Sequence, residues 1–179
     1  MNTHLVLTVI GDDRPGLVVE LARIISAHRG NWLRSSMAQL AGKFAGIVEV
    51  AVAGTDADGL RDALAGMTRL KVAVEAAGGQ SSEKSALAGR RLKLSLVGHD
   101  RIGIVSEVSQ VLARHAVNVE KLDTRTATAP MSAEILFHAD AELTADAALD
   151  AGALIAELER ISNELMVDIA VDESMRKAP

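Results

Sequence analysis

The sequence predicts an α+β fold in which two small βαββαβ domains follow one another, and three observations lead there. The chain has 179 residues, of which 49% are hydrophobic and 24% charged, enough apolar material for packed cores. It repeats itself at an offset of 87 residues. Within each repeat the apolar pattern switches between strand and helix periods in the same order.

The repeat is read directly. Val9-Ile10-Gly11-Asp12-Asp13-Arg14-Pro15-Gly16 falls on Leu96-Val97-Gly98-His99-Asp100-Arg101-Ile102-Gly103. Leu5 meets Leu92, Leu7 meets Leu94, Val18 meets Val105, Glu20 meets Glu107, His28 meets His115 and Asn31 meets Asn118. Ten identities across residues 4–32, with apolar against apolar at many other pairs, mark a duplication.

The elements follow in order. His4 to Ile10 and Arg91 to Val97 read as opening strands. Leu17, Val18, Leu21, Ile24 and Ile25 then form one helical face, as do Ile104, Val105, Val108, Val111 and Leu112 at the same offsets. Strands are expected at Trp32 to Leu40 and Phe44 to Val52, joined through Ala41-Gly42-Lys43. Their counterparts are Val119 to Thr128 and Ser132 to Ala139, joined through Ala129-Pro130-Met131. Leu60, Leu64 and Met67 mark a second helix; Leu154, Ile155, Leu158, Ile161 and Leu165 mark its counterpart. Lys71 to Ala76 and Met166 to Val171 close each unit. The order β-α-β-β-α-β is the ferredoxin-like split βαβ arrangement. The expected boundaries are 1–77, a Gly/Ser-rich linker at 78–90, 91–172, and a charged tail at 173–179.

Composition removes several function classes. A net charge of −5 is the wrong sign for gripping phosphate backbones, and one Trp, two Phe and no Tyr leave little to stack on bases. Direct nucleic-acid binding is not expected. The absence of cysteine excludes disulfides, thiolate metal sites and thiol nucleophiles. No stretch approaches the length of a membrane span, and the first residues lack a basic leader, so a cytoplasmic protein is expected.

The candidate site is the turn between the first strand and helix of each repeat: Gly11, Asp12, Asp13, Arg14, Pro15 and Gly16, with Gly98, His99, Asp100, Arg101, Ile102 and Gly103 in the second. Pro15 suits a first helical turn, and Asp13 suits a helix start as a cap. The unpaired N–H groups there suit an anion such as an amino-acid carboxylate. Gly16 and Gly103 would let a ligand or another backbone approach closely. Asp12, Asp13 or Asp100 could meet an ammonium group. The other reading of the same residues is a well-capped turn and nothing more.

The Asp-Arg-Pro-Gly loop after a strand, the amphipathic helix and the Asn at its exit resemble the ACT domain, a regulatory amino-acid-binding fold. The resemblance spans nearly the whole chain. It implies an effector near the first loop and the start of the second strand, where two such domains meet. That adds Asn31 and Asn118 to the candidate residues. The second repeat departs from the pattern, with Ile102 in place of Pro and His99 in place of an acid. The tandem with nothing appended, with Asn118-Val119-Glu120-Lys121-Leu122 and Asn163-Glu164-Leu165-Met166-Val167-Asp168, is similar to repressors of glycine cleavage. This implies glycine or a similar amino acid as ligand and a DNA-binding activator protein as partner. A homo-dimer is expected because the edge strands are open. A scaffold without ligand and a detached regulatory subunit of an enzyme are the alternatives.

No active site is expected, and neither a metal nor a cofactor. Thr55-Asp56-Ala57-Asp58-Gly59-Leu60 mimics a calcium loop but has its Gly misplaced and Met67 where the closing Glu belongs. It is read as the opening of a helix. His28 and His115 continue the apolar stripes of their helices into the last turn. His99 is the one histidine in a candidate site. Ser35-Ser36 lacks any nucleophile setting, and Glu20 and Glu107 are placed on solvated faces.

Overall fold

A computed structural model of the chain describes residues 2–77, 89–129 and 134–161, together with the backbone of 166–171. It divides into two units, residues 1–79 and 80–179.

In the first unit β1 (Asn2–Asp12) leads to α1 (Leu17–Ala27), β2 (Asn31–Leu40), β3 (Lys43–Ala53), α2 (Ala57–Ala65) and β4 (Leu70–Ala76). The sheet order is β2-β3-β1-β4, antiparallel throughout. Alternation fixes which side is buried. Leu5, Leu7 and Val9 of β1, and Val48, Val50 and Val52 of β3, point to the helices and are almost fully excluded from water. Leu17, Leu21 and Ile25 of α1 and Leu60 and Leu64 of α2 complete that core.

The second unit repeats this with β5 (Gly89–His99), α3 (Ile104–Arg114), β6 (Asn118–Thr128), β7 (Ile135–Asp146), α4 (Ala151–Glu159) and β8 (Met166–Val171), in sheet order β6-β7-β5-β8. The duplication extends to irregularities. Both second strands slip register at matching places, between Trp32 and Arg34 and between Val119 and Lys121. Such shifts re-aim the side chains beyond them.

The α+β class and the βαββαβ order stand as expected. Two boundaries do not. The strand placed at Ser132 to Ala139 is described from Ile135 and runs on to Asp146. Its inward residues Ala139, Ala141 and Ala145 are small, so its alternation of apolar and polar is faint in the sequence although all three are buried. The helix traced to Leu165 ends at Glu159, with Ile161 packed beyond it. Pro130 and Met131 of the expected link, residues 78–88 of the linker and the tail 173–179 fall outside the described residues.

Each first helix exits through a residue in left-handed conformation, Arg29 at φ 58° and Ala116 at φ 53°. An L side chain is strained there, and glycine is not. Ala116→Gly is therefore expected to raise stability by about 0.5 to 1 kcal/mol, read as a higher urea midpoint at unchanged slope.

Candidate functional site

The turn from β1 into α1 is built around Gly16. It is the N-cap of α1 at φ 95°, a conformation glycine alone adopts freely, and no side chain caps the helix. The N–H groups of Leu17, Val18 and Val19 therefore have no acceptor within the helix; the first intrahelical bond is Glu20 N–H to Gly16 O at 2.9 Å. A β-carbon added at Gly16 would meet nothing within 4 Å, so no other backbone presses on it. In front of this helix end lies a cleft of about 130 Å³ lined by Asp13, Arg14, Gly16, Val18, Val19 and Phe44, among others. A volume of a few water molecules suits a ligand of few heavy atoms.

The charges in the loop divide. Asp12 pairs with Lys43 across the β1–β3 ladder and lies 4.0 Å from Arg14. The Lys43 hydrogen bond and charge hold its carboxyl below the ordinary range. Asp13 anchors the loop through its backbone, donating to Gly42 O at 2.9 Å, while its residue lines the cleft. Asp13, Arg14 and the positive end of a helix thus border one cleft.

Two sequence expectations are corrected here. Pro15 precedes the α-helix rather than occupying its first turn, because Gly16 takes the N-cap position. Asp13 is not the cap, being three residues too early. The space at Gly16 stays open to a ligand, while a close backbone contact is found at Gly11, where a β-carbon would collide with the Arg69 carbonyl.

The second loop has the same frame and a different state. Gly103 caps α3 at φ 93°, again without a side chain, and Asp100 N–H donates to Ile135 O at 3.0 Å. Arg101, however, is held by both oxygens of Glu107 at 2.8 and 2.6 Å. That hydrogen bond and charge draw the Glu107 carboxyl below its ordinary range and raise Arg101. Glu107 is thus a clamp on the loop rather than part of a merely solvated face. In the first repeat Glu20 faces Arg69 instead, at 3.8 Å. Ile102 is fully exposed, and His99 lies 4.0 Å from Glu134. Gly98 is buried in β5 opposite Phe137.

Asn31 and Asn118 are not brought to these loops. Asn31 pairs with Ala51 and so lies level with His4, whereas Gly11 and Asp12 lie level with Phe44 and Lys43. Seven or eight residues of strand, roughly 25 Å, separate them within the domain. Asn118, level with Thr144 and Arg91, is equally remote from Gly98. Chain order hides this, because the strand runs away from that end and the helix, with its flanking turns, brings the chain back to it.

The remaining motifs keep structural roles. Asp56 sits at the start of α2 but its carboxylate takes Arg29 at 3.3 Å rather than capping the helix. His115, at the end of α3, meets Glu157 of α4 at 2.7 Å. Among the described residues no group of three or more His, Cys, Asp or Glu could hold a metal, and no helix is long and apolar enough to cross a membrane.

Comparison with known proteins gives the same architecture. Residues 3–76 and residues 93–161 each match a model of the ACT domain. A protein of unknown function from Galdieria sulphuraria superposes with a TM-score of 0.82 at 26% identity, over 96% of this chain and 99% of that one. A structure provisionally described as a glycine cleavage system transcriptional repressor superposes with a TM-score of 0.67 at 16% identity, over 96% and 99%. No curated protein matches the sequence at a significant level.

Proposed function

We propose, because this chain belongs to the ACT domain family, that it is a non-catalytic, amino-acid-responsive regulator. It binds glycine or a similarly small amino acid and passes that state to a protein partner. The observation that carries this reading is the uncapped N-terminus of α1, opening on a cleft that also holds Asp13 and Arg14. A zwitterion matches that set of charges: carboxylate toward the helix N–H groups and Arg14, ammonium toward Asp13. The small volume favours a ligand with little or no side chain.

The second loop is proposed as the weaker site, since Glu107 already occupies Arg101. A single ligand could touch both a loop and Asn31 or Asn118 only by bridging two domains, so those residues join the site only across a domain contact. By likeness to the glycine cleavage repressor fold, the partner is a DNA-binding activator, and control is exerted in the cytoplasm by a homo-dimer that does not itself hold DNA. Ligand favouring one domain packing over another would supply a coupling of about 1–3 kcal/mol.

Thermal unfolding of the pure protein across the twenty amino acids tests this. A ligand at a hundred times its dissociation constant is expected to stabilise by about 2.7 kcal/mol. A shift confined to glycine, serine or alanine supports the reading. No shift with any of them leaves the alternative of a scaffold without ligand.

A further inference from the structure

The two sheets have the same strand order and both pack helices on one side, so their other sides can be compared position by position. On the first sheet that open side carries Val6, Thr8 and Ile10 of β1, Ala45 and Ile47 of β3, and Ala73 of β4, cross-strand neighbours by register, with the charged Lys71 and Glu75 at its β4 margin opposite Ile10 and Val6. Ile10 and Ile47 are 46% and 52% exposed. The polar groups at its His4 end are already matched to one another, Glu49 accepting from His4 at 3.1 Å and from Arg34. On the second sheet the corresponding side carries Lys93, Lys121, Asp123, Arg125, Asp140 and Glu142. Lys121 meets Asp123 at 2.8 Å and Arg125 meets Asp140 at 3.6 Å, an arrangement made for water. Thr8 and Ser95 are repeat equivalents, yet Thr8 stands opposite Ile47 and Ser95 opposite Asp140. The fold does not impose this difference, since both copies share the fold. An uncharged centre on one copy alone, with charge kept to its margins, marks a surface that is covered.

We infer that the open face of the first sheet is an interface, and that its occupant is the same face of a second copy of this chain. The argument is complementarity. Set against the second sheet's open side, the uncharged face would strip water from Lys93, Asp140 and Glu142 and offer no partner in return. Against itself, across a two-fold axis, it meets uncharged side chains with uncharged side chains. The whole open side, four strands about 4.8 Å apart and some eight residues long, presents roughly 500 Å² in plan with its charged margins included. Two such faces bury on the order of 1,000 Å², near the lower bound for a specific interface, so the dimer dissociates on dilution. This rests on the homo-dimer reading above and moves the contact from a strand edge to a sheet face.

Because the chain has no cysteine, single cysteines report on the face directly. In the full-length protein, without any amino acid added, Thr8→Cys is expected to react slowly with a maleimide at high protein concentration and quickly on dilution. Ser95→Cys is expected to react at one rate throughout. By sedimentation, the unmodified chain shifts from dimer to monomer on dilution, and Ile47→Asp raises the dimer dissociation constant about tenfold or more. An Ile47→Asp chain that dimerises like the parent overturns the face while leaving the dimer. A parent chain that is monomeric at every concentration overturns both. Thr8→Cys protected at every dilution places the cover within the chain and also overturns the inference. None of these results depends on amino-acid binding.

Discussion

Replacing Leu7 by alanine is expected to destabilise the first domain by about 3 kcal/mol. Leu7 is fully buried, pairs with Val48 and Val74 across the sheet, and belongs to the core beneath α1 and α2. Truncation removes methyl groups from a site that the flanking strands hold open, which adds a cavity cost to the lost burial. A domain of this size has few kcal/mol in reserve. The urea midpoint should therefore fall markedly for the transition assigned to this domain. Leu94, the repeat equivalent at 3% exposure, should give a comparable loss in the second. Val6→Ala, one residue away but on the open side, is expected to cost under about 1 kcal/mol in dilute solution.

Substituting Gly16 by valine is expected to abolish the amino-acid-dependent shift in melting, a loss of about 2.7 kcal/mol at saturating ligand. Two effects act together. At φ 95° a β-branched residue is forced out of the left-handed conformation, which turns the first N–H groups of α1 away from the cleft. The added side chain also enters the space in front of them, which no described residue fills. Gly103→Val carries the same backbone strain but should leave the ligand shift largely intact, since Arg101 there is engaged by Glu107. Equal loss from both substitutions would mean that the two loops bind alike.

The duplication made most of the fold legible. Identities at an offset of 87 residues gave the first strand and helix of each unit a second witness, the later elements followed from their shared order, and the core positions Leu5, Leu7, Leu92 and Leu94 follow from alternation alone. The end of β7 was obscured because alanine serves as its buried residue, and alanine is equally at home on a surface or in a helix. The candidate loops were found from their glycines and charged residues. Their states were not. Whether Arg101 holds Glu107, and whether Arg14 stands beside Asp12 at a cleft, depends on side-chain partners brought in from α3, β3 and the turn before β4, which residue identity alone leaves open. Asn31 was grouped with the loop by proximity in the resemblance, while the strand register sets it at the far end.

The contrast between the two open faces also bears on how the chain reaches its fold. Tandem repeats of like sequence can exchange strands while folding, because an opening strand from one copy offers the inward side chains the other sheet requires. Here Leu5, Leu7 and Val9 would satisfy the second core nearly as well as Leu92, Leu94 and Leu96 do. The outward side chains discriminate. β1 in the place of β5 would keep a hydroxyl beside Asp140, Thr8 for Ser95, but would set Val6 beside Glu142 and forfeit the cationic Lys93 opposite it. The residues that do least for either core are thus the ones that keep a newly made chain from assembling with its halves interchanged.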